Sequence, residues 1–317
     1  MPSPLRSRPL IVGLALAVGV CGTCGWLHAA EEPVAEKPAA TVPATEQPAA
    51  EKPAIEPIAW QQDYFAAYTL AKQQARMLLI YFQSLDDAQG KRFDEATWKD
   101  EAVCRAARRY VCLRLPLDAT IEIEDKPQKL LAQPAFREML GRPGLAIIDL
   151  AHKDKDHFAH VVSTFPLTAK LQYTPQQVVA MLDLPPGSLT QRTLIYAVRT
   201  HPERPGSADG ELHTTLVAEA ASHAQHQADI RLQGHHQWET RFHRISAQLP
   251  AGLSASEVCA ESWPGENLVE AAVECVRCWR LSSGHWGAVR ERHRVFGYDM
   301  RRGHNGIWYA TGIFGRR

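Results

Sequence analysis

The stretch from Glu257 to Trp286, EVCAESWPGENLVEAAVECVRCWRLSSGHW, constrains the fold more than any other part of the chain. Leu268, Ala271, Ala272, Cys275, Val276 and Trp279 recur at i, i+3, i+4 spacing, the signature of a helix with one apolar face. Ser282, Ser283 and Gly284 are expected to end that helix. His285 would then sit just past it, in a turn aimed back at the glutamates upstream. Ten of the fourteen histidines lie beyond Pro186, so metal or pH-linked chemistry is to be sought in this part of the chain.

Further short motifs flank this unit. Gly234-His235-His236-Gln237-Trp238, with Arg241 and Arg244, lies upstream. Phe296-Gly297-Tyr298 and Gly306-Ile307-Trp308-Tyr309-Ala310-Thr311 lie downstream and read as last strands. Leu212, Leu216, Ala220, Ala224 and Ala228 mark a long helix that packs through small residues. His223 and His226 on it read as ordinary partly buried or surface residues.

Together with the Ser-x-Gly-His turn, this order of motifs resembles the CAP superfamily: cysteine-rich secretory proteins, antigen 5 and plant pathogenesis-related proteins. The resemblance covers roughly the last third of the chain. It implies an α-β-α sandwich with a cleft that holds two histidines and acidic partners. It also implies a binder of sterols, lipids or protein partners rather than an enzyme. His285 carries over as one cleft histidine. The other is His235 or His236, with His235 preferred.

Two glutamates compete for the acidic position. Gly265-Glu266-Asn267 spells the family motif, but the family leaves a little over twenty residues between that glutamate and the Gly-His turn. Here 285 − 266 = 19 and 285 − 261 = 24. Pro264-Gly265 reads as a turn opening the helix, with Glu266 well placed in its first turn. Glu261 is therefore the expected acid, and Glu270 or Glu274 would supply a second. Two imidazoles and one or two carboxylates suit a divalent metal such as zinc, with one coordination position open. Without metal, the same groups would make a hydrogen-bonded cluster that shapes a pocket. No serine or cysteine stands beside a histidine in the manner of an activated nucleophile.

The preceding part reads differently. Trp60, Tyr64, Tyr68, Ala71 and Ala75 mark a helix face, and Met77 to Phe82 is a short buried strand. A helix from about Glu95 to Arg109, a strand from Tyr110 to Leu115, and a hairpin of Leu145–Leu150 with Ala159–Ser163 follow. Thr174 caps a last helix that runs from Pro175 to Leu184. This succession resembles the thioredoxin fold over about Ile58 to Leu184, with Gly141-Arg142-Pro143 where that family has its cis-proline. The family's redox Cys-x-x-Cys is missing. Its place holds Gln83-Ser84-Leu85-Asp86-Asp87-Ala88-Gln89. Thiol exchange needs a thiolate there, so disulfide oxidoreductase activity is excluded. A peptide-binding face at Asp86, Asp87 and Pro143, or a purely supporting scaffold, remain the two readings.

At the N-terminus, Arg6 and Arg8 precede an apolar run from Leu10 to Val20, and Ala29-Ala30 offer a cleavage site. Residues 1–30 are expected to be an export signal or an uncleaved anchor. Residues 31–57 repeat Glu-Lys-Pro-Ala-Ala variants and read as a disordered spacer. The expected domains are thus 58–186, thioredoxin-like, and 187–317, CAP-like, in an α/β chain. A formal net charge of +0 gives no field that would favour nucleic acid. Arg290, Arg292, Arg294, Arg301 and Arg302, with His293 and His304, form a local basic stretch that reads as a solvated face or, alternatively, as a contact for wall polymer or anionic lipid. Cys275-Val-Arg-Cys278 reads as two small apolar residues on a helix rather than half a zinc site. Cys259 with Cys275 or Cys278 is the one disulfide pairing to test. The expected whole is an extracytoplasmic binding protein, secreted, periplasmic or membrane-tethered, with envelope proteins among its partners. A metal-dependent cell-surface peptidase using the same cleft, with Glu261 as general base, is the alternative.

Overall fold

The computed structural model describes residues 56–84, 86 and 88–316. The expected export segment and most of the spacer lie outside the described residues. Among these residues no helix is long and apolar enough to cross a membrane.

The first layer is built on an apolar strand. After β1 (Trp60–Gln61) and α1 (Tyr64–Gln73), β2 (Met77–Gln83) is buried along its length. Leu79 and Tyr81 point into one hydrophobic cluster, while Leu78, Ile80 and Phe82 point into another. A strand covered on both faces needs such an unbroken apolar run. α2 (Ala88–Thr97) and α3 (Glu101–Ala107) follow, then β3 (Tyr110–Pro116), β4 (Thr120–Ile123) and β5 (Lys126–Lys129). Two 3-10 turns lead to β6 (Gly144–Ile148), β7 (Val161–Pro166) and α4 (Pro175–Leu182). The sheet order is β1-β3-β2-β6-β7, with β1, β3 and β2 parallel and β6 and β7 antiparallel.

Three local expectations change. Trp60 and Ala75, expected on the face of the first helix, lie outside it, Trp60 on β1 and Ala75 past the end of α1 at φ +49°. The single helix expected from Glu95 to Arg109 is two helices. Asp100 interrupts it, because its carboxylate accepts from the Val103 amide at 3.0 Å and starts α3 anew. The Arg142–Pro143 bond is trans, and no cis peptide occurs among the described residues.

Just beyond the expected domain boundary at residue 186, where no element was expected, the chain forms α5 (Leu189–Arg199). Ser188 and Gln191 make a reciprocal capping box that starts it. Arg192 on this helix is fully buried. Its Nε donates to Ser163 Oγ on β7 at 2.8 Å, and its Nη1 to the carbonyls of Leu184 and Pro185 at 3.0 and 2.8 Å.

The second sheet comes from β8 (Glu211–Leu212), α6 (Thr214–Ile230), α7 (Trp238–Ser246), β9 (Ser254–Glu261), α8 (Leu268–Leu281), α9 (Ser283–Arg290), β10 (Val295–Arg302) and β11 (Trp308–Arg316). Its order is β8-β10-β11-β9, with β9 at an edge. α6 packs on β10 and β11, and α5 and α8 also pack on this sheet, at β10 and at β9 and β11. The apolar residues of α8 join one cluster with Val258, Ala260, Tyr298, Phe314 and, through α5, with Phe165 and Met181. Asp299 of β10 is fully buried and accepts from Thr190 Oγ1 at 2.6 Å and Gln191 Nε2 at 3.1 Å, tying the start of α5 to this sheet.

α6 approaches β10 closely because Ala220, Ala224 and Ala228 are buried on its inner face and Gly297 lies opposite. A Cβ on Gly297 would overlap the backbone of Leu216 and Val217, and backbone yields poorly. Gly297→Ala should therefore lower stability by about 1–3 kcal/mol. The check is a shift of the urea midpoint without a change of slope. An unshifted midpoint would mean that the helix rides higher over the sheet.

Candidate functional site

The site is organised by a buried carboxylate. Glu257 stands on edge strand β9 with its side chain out of water. Its Oε2 accepts from Arg241 Nη2 of α7 at 2.5 Å, and its Oε1 lies 3.0 Å from His235 Nδ1. His223 Nε2 on α6 lies 3.7 Å from the same Oε1. Burial alone would raise this carboxyl, but hydrogen bonds from His235 and Arg241, with the nearby charges of His223 and Arg241, hold it below the usual carboxylate range. Because a carboxylate only accepts, the His235 proton must be on Nδ1.

That assignment turns the lone pair of His235 Nε2 outward, where it meets His285 Nε2 at 3.1 Å. The two rings lie 5.3 Å apart between centroids. His285 occurs in the first turn of α9, not in a free turn beyond α8. Ser282 ends α8 and caps α9, and its Oγ accepts from the His285 amide at 3.5 Å. Serine with extended backbone dihedrals both stops one helix and starts the next. Partial burial pushes the His285 imidazole below its usual pKa, and the adjacent His235 pushes the same way against the pull of Glu257.

The loop that carries His235 is held from below by α6. His223 Nε2 donates to the Gly234 carbonyl at 2.9 Å, while Gln227 Oε1 accepts from the Gly234 amide at 3.1 Å. Gln227 Nε2 donates to Thr311 Oγ1 at 2.9 Å, anchoring the arrangement on β11. His223, expected as an ordinary partly buried or surface residue, is thus a buried support for the loop.

The remaining expected residues are arranged as follows. His236 hydrogen-bonds the Leu232 carbonyl at 3.1 Å and packs its ring against His223 and His226. Glu261 is exposed at the end of β9, four residues beyond Glu257, which is about 13 Å along a strand. The carboxylate in contact with the histidines is therefore Glu257 and not Glu261. Glu270 lines a groove with Pro143, Leu167 and Lys170 of the first layer. Glu274 pairs with Arg277 at 2.6 Å on α8. Glu266 accepts from the Trp263 amide at 3.1 Å.

Cys259 lies two residues from Glu257 on β9, with its Sγ 3.8 Å from His235 Nδ1. Burial and the neighbouring carboxylate push its thiol well up, so it is no nucleophile. All five described cysteines are free, and the Cys259 pairing with Cys275 or Cys278 is not formed. Cys275 is buried in the core face of α8. In the first layer, burial raises Cys104 and raises Cys112 to about 12, so neither offers a thiolate.

Residues 59–132 match the family model described as thioredoxin-like. A solved structure, an outer surface protein from Borrelia burgdorferi, is similar at 22% identity over 34% of this chain and 77% of that chain, with a TM-score of 0.28. No curated protein matches. The thioredoxin-like match falls on the first layer, and the histidine–glutamate cluster falls outside it.

The cluster carries a pH dependence with a definite sign. His223 is also held below its usual value, chiefly by burial, as are His157, His201 and His293. Unfolded histidines titrate near about 6.5, so on acidification the unfolded chain takes up protons first. This stability is complete above that value and is lost as pH falls below it. Glu257 adds a further loss only at lower pH, as its depressed folded pKa is approached. The urea midpoint should fall between about pH 7.5 and about pH 5.5. A midpoint that rises on acidification would contradict the neutral buried histidines.

Proposed function

We propose that this chain is an exported binding protein that uses a CAP-type cleft, with the thioredoxin-like layer as its scaffold. The observation that carries the reading is the His235–His285 pair, with Nε2 atoms 3.1 Å apart, backed by buried Glu257 and Arg241 and still open to solvent. His235 keeps 41% of its side chain exposed, while Glu257 keeps none. Ile230 and Leu232 precede His235 and Leu281 precedes His285, and these are among the few large apolar side chains left exposed, at 44%, 57% and 72%. Imidazoles on segments that also carry exposed aliphatic side chains suit an amphipathic ligand with a polar head, such as a lipid or sterol. The first fifty-seven residues, read as export signal and spacer, would tether the module outside the cytoplasm. Envelope protein or wall polymer would then be within its reach.

The peptidase alternative draws on one measurement. Two imidazole nitrogens 3.1 Å apart approximate one edge of a tetrahedral zinc site, about 3.4 Å for bonds of about 2.1 Å. Glu257 would orient His235 as a carboxylate behind a ligating histidine. Among the described residues, however, the carboxylate in contact with the pair is not free to act as general base. Both oxygens of Glu257 are engaged by Arg241 and His235, and Glu261 is remote along the strand. Metal would be completed by atoms of the ligand, and binding remains the better-supported role.

The test is retention of the full chain on phosphatidylcholine vesicles that contain sterol. Wild type should bind, and Leu281→Ser and His285→Ala should each bind several-fold less. Equal binding by all three proteins would sink the reading. Metal-stimulated peptide hydrolysis lost in His285→Ala would favour the peptidase instead.

A further inference from the structure

A second imidazole–carboxylate cluster lies far along the chain from the first, at the tip of the β6–β7 hairpin. Asp149 follows β6 and is fully buried. Its backbone closes the hairpin, with its N–H donating to the His160 carbonyl at 3.0 Å and its carbonyl accepting from Ala159 N at 2.7 Å. Ala159 adopts φ +61°, which turns the returning chain sharply at that point. The short loop between is thereby folded back over the Asp149 carboxylate.

The fold-back brings two histidines to one carboxylate. His152 Nδ1 lies 2.8 Å from Asp149 Oδ2, and His157 Nε2 lies 3.2 Å from the same oxygen. The three ligating atoms all fall within 4.8 Å of one another. Asp149 Oδ1 accepts from the amides of Ala151 and His152 at 2.9 and 3.0 Å and also lies 3.1 Å from His152 Nδ1, which fixes the carboxylate with Oδ2 as the oxygen nearest both rings. His157 Nε2 is buried yet makes no hydrogen bond of acceptable geometry, even to the carboxylate beside it. An orphaned ring nitrogen at this distance is poorly explained by hydrogen bonding alone. It is well explained as a ligand atom, because its separation of 3.2 Å from the carboxylate oxygen approaches the edge of about 3.4 Å between neighbouring ligands on tetrahedral zinc, and metal binding would displace the proton that His152 Nδ1 shares with Asp149 at 2.8 Å.

We propose that Asp149, His152 and His157 form a binding site for one divalent transition-metal ion of the zinc class. Two neutral imidazoles and one carboxylate are the donor set that such an ion takes in preference to calcium or magnesium. Burial keeps His157 below its usual pKa and so in the neutral, ligating form, although Asp149 pulls the other way. His152 remains a third exposed, so the fourth position opens to solvent. The ion would pin the loop between β6 and β7.

The cleft histidines are the obvious competitor, so the experiment starts from full-length His235→Ala/His285→Ala protein, titrated calorimetrically with Zn2+ alone. One equivalent should bind. Adding His152→Ala or His157→Ala should weaken it by at least about tenfold. Hydrogen exchange should show loop residues 150–160 protected by Zn2+ in the parent and not in the His152→Ala protein. His152 is the safer variant because its ring is partly exposed and its loss leaves the core intact. No Zn2+ uptake by the parent double variant, or undiminished affinity in both added variants, would overturn the proposal. The cluster would then be a hydrogen-bonded loop lock.

Discussion

The arrangement around the two histidines depends on burying one negative charge. A carboxylate placed out of water is unfavourable by several kcal/mol unless it is paired and hydrogen-bonded. Glu257 meets that demand with a guanidinium from α7 and an imidazole from the loop before it. Each partner is then fixed by the same constraint. Arg241 is drawn in and buried, and His235 is locked into one tautomer with its other nitrogen turned toward His285. A cluster of this kind adds little net stability compared with apolar packing. What it supplies is orientation, and orientation is what a recognition site requires.

A second buried charge plays a related part between the layers. Arg192 of α5 is enclosed and donates toward β7 and the carbonyls that end α4, while the first turn of the same helix is held by Asp299 of β10. α5 therefore faces both sheets, and Tyr196 packs on Phe165 with ring centroids 4.7 Å apart. The histidine cluster is backed by β9, an edge strand of the second sheet, while α5 packs at β10.

Most of the architecture was legible because it follows from periodicity. The α/β class, the buried strand at Met77–Gln83, the helix of Leu268–Leu281 and the small-residue helix after Leu212 all rest on patterns of two or 3.6 residues. α5 was not legible, because Pro185-Pro186-Gly187 reads as a domain end and the capping box of Ser188 and Gln191 is a weak signal beside it. At the site, His235 and His285 were foreseeable from their short motifs. Glu257 was not, because spacing to the Gly-His pair said nothing about which strand position faces α6 and α7. Alternation along β9 was the available clue. Ala255, Glu257 and Cys259 share a face with the buried side of α6, and a glutamate among buried neighbours demands a cationic partner. His223 and Gln227 were hidden for a similar reason, since a polar residue on a helix looks the same whether it meets water or a backbone amide.

The central claim is that Glu257 sets the state of His235 and turns its free nitrogen toward His285. The most direct measurement is a long-range 1H–15N correlation spectrum of the imidazoles at neutral pH, assigned with His235→Ala and His285→Ala. His235 should be protonated on Nδ1 with a free Nε2, and His285 should carry its proton on Nε2. A His235 protonated on Nε2 at neutral pH, with its Nδ1 bare, would contradict the account.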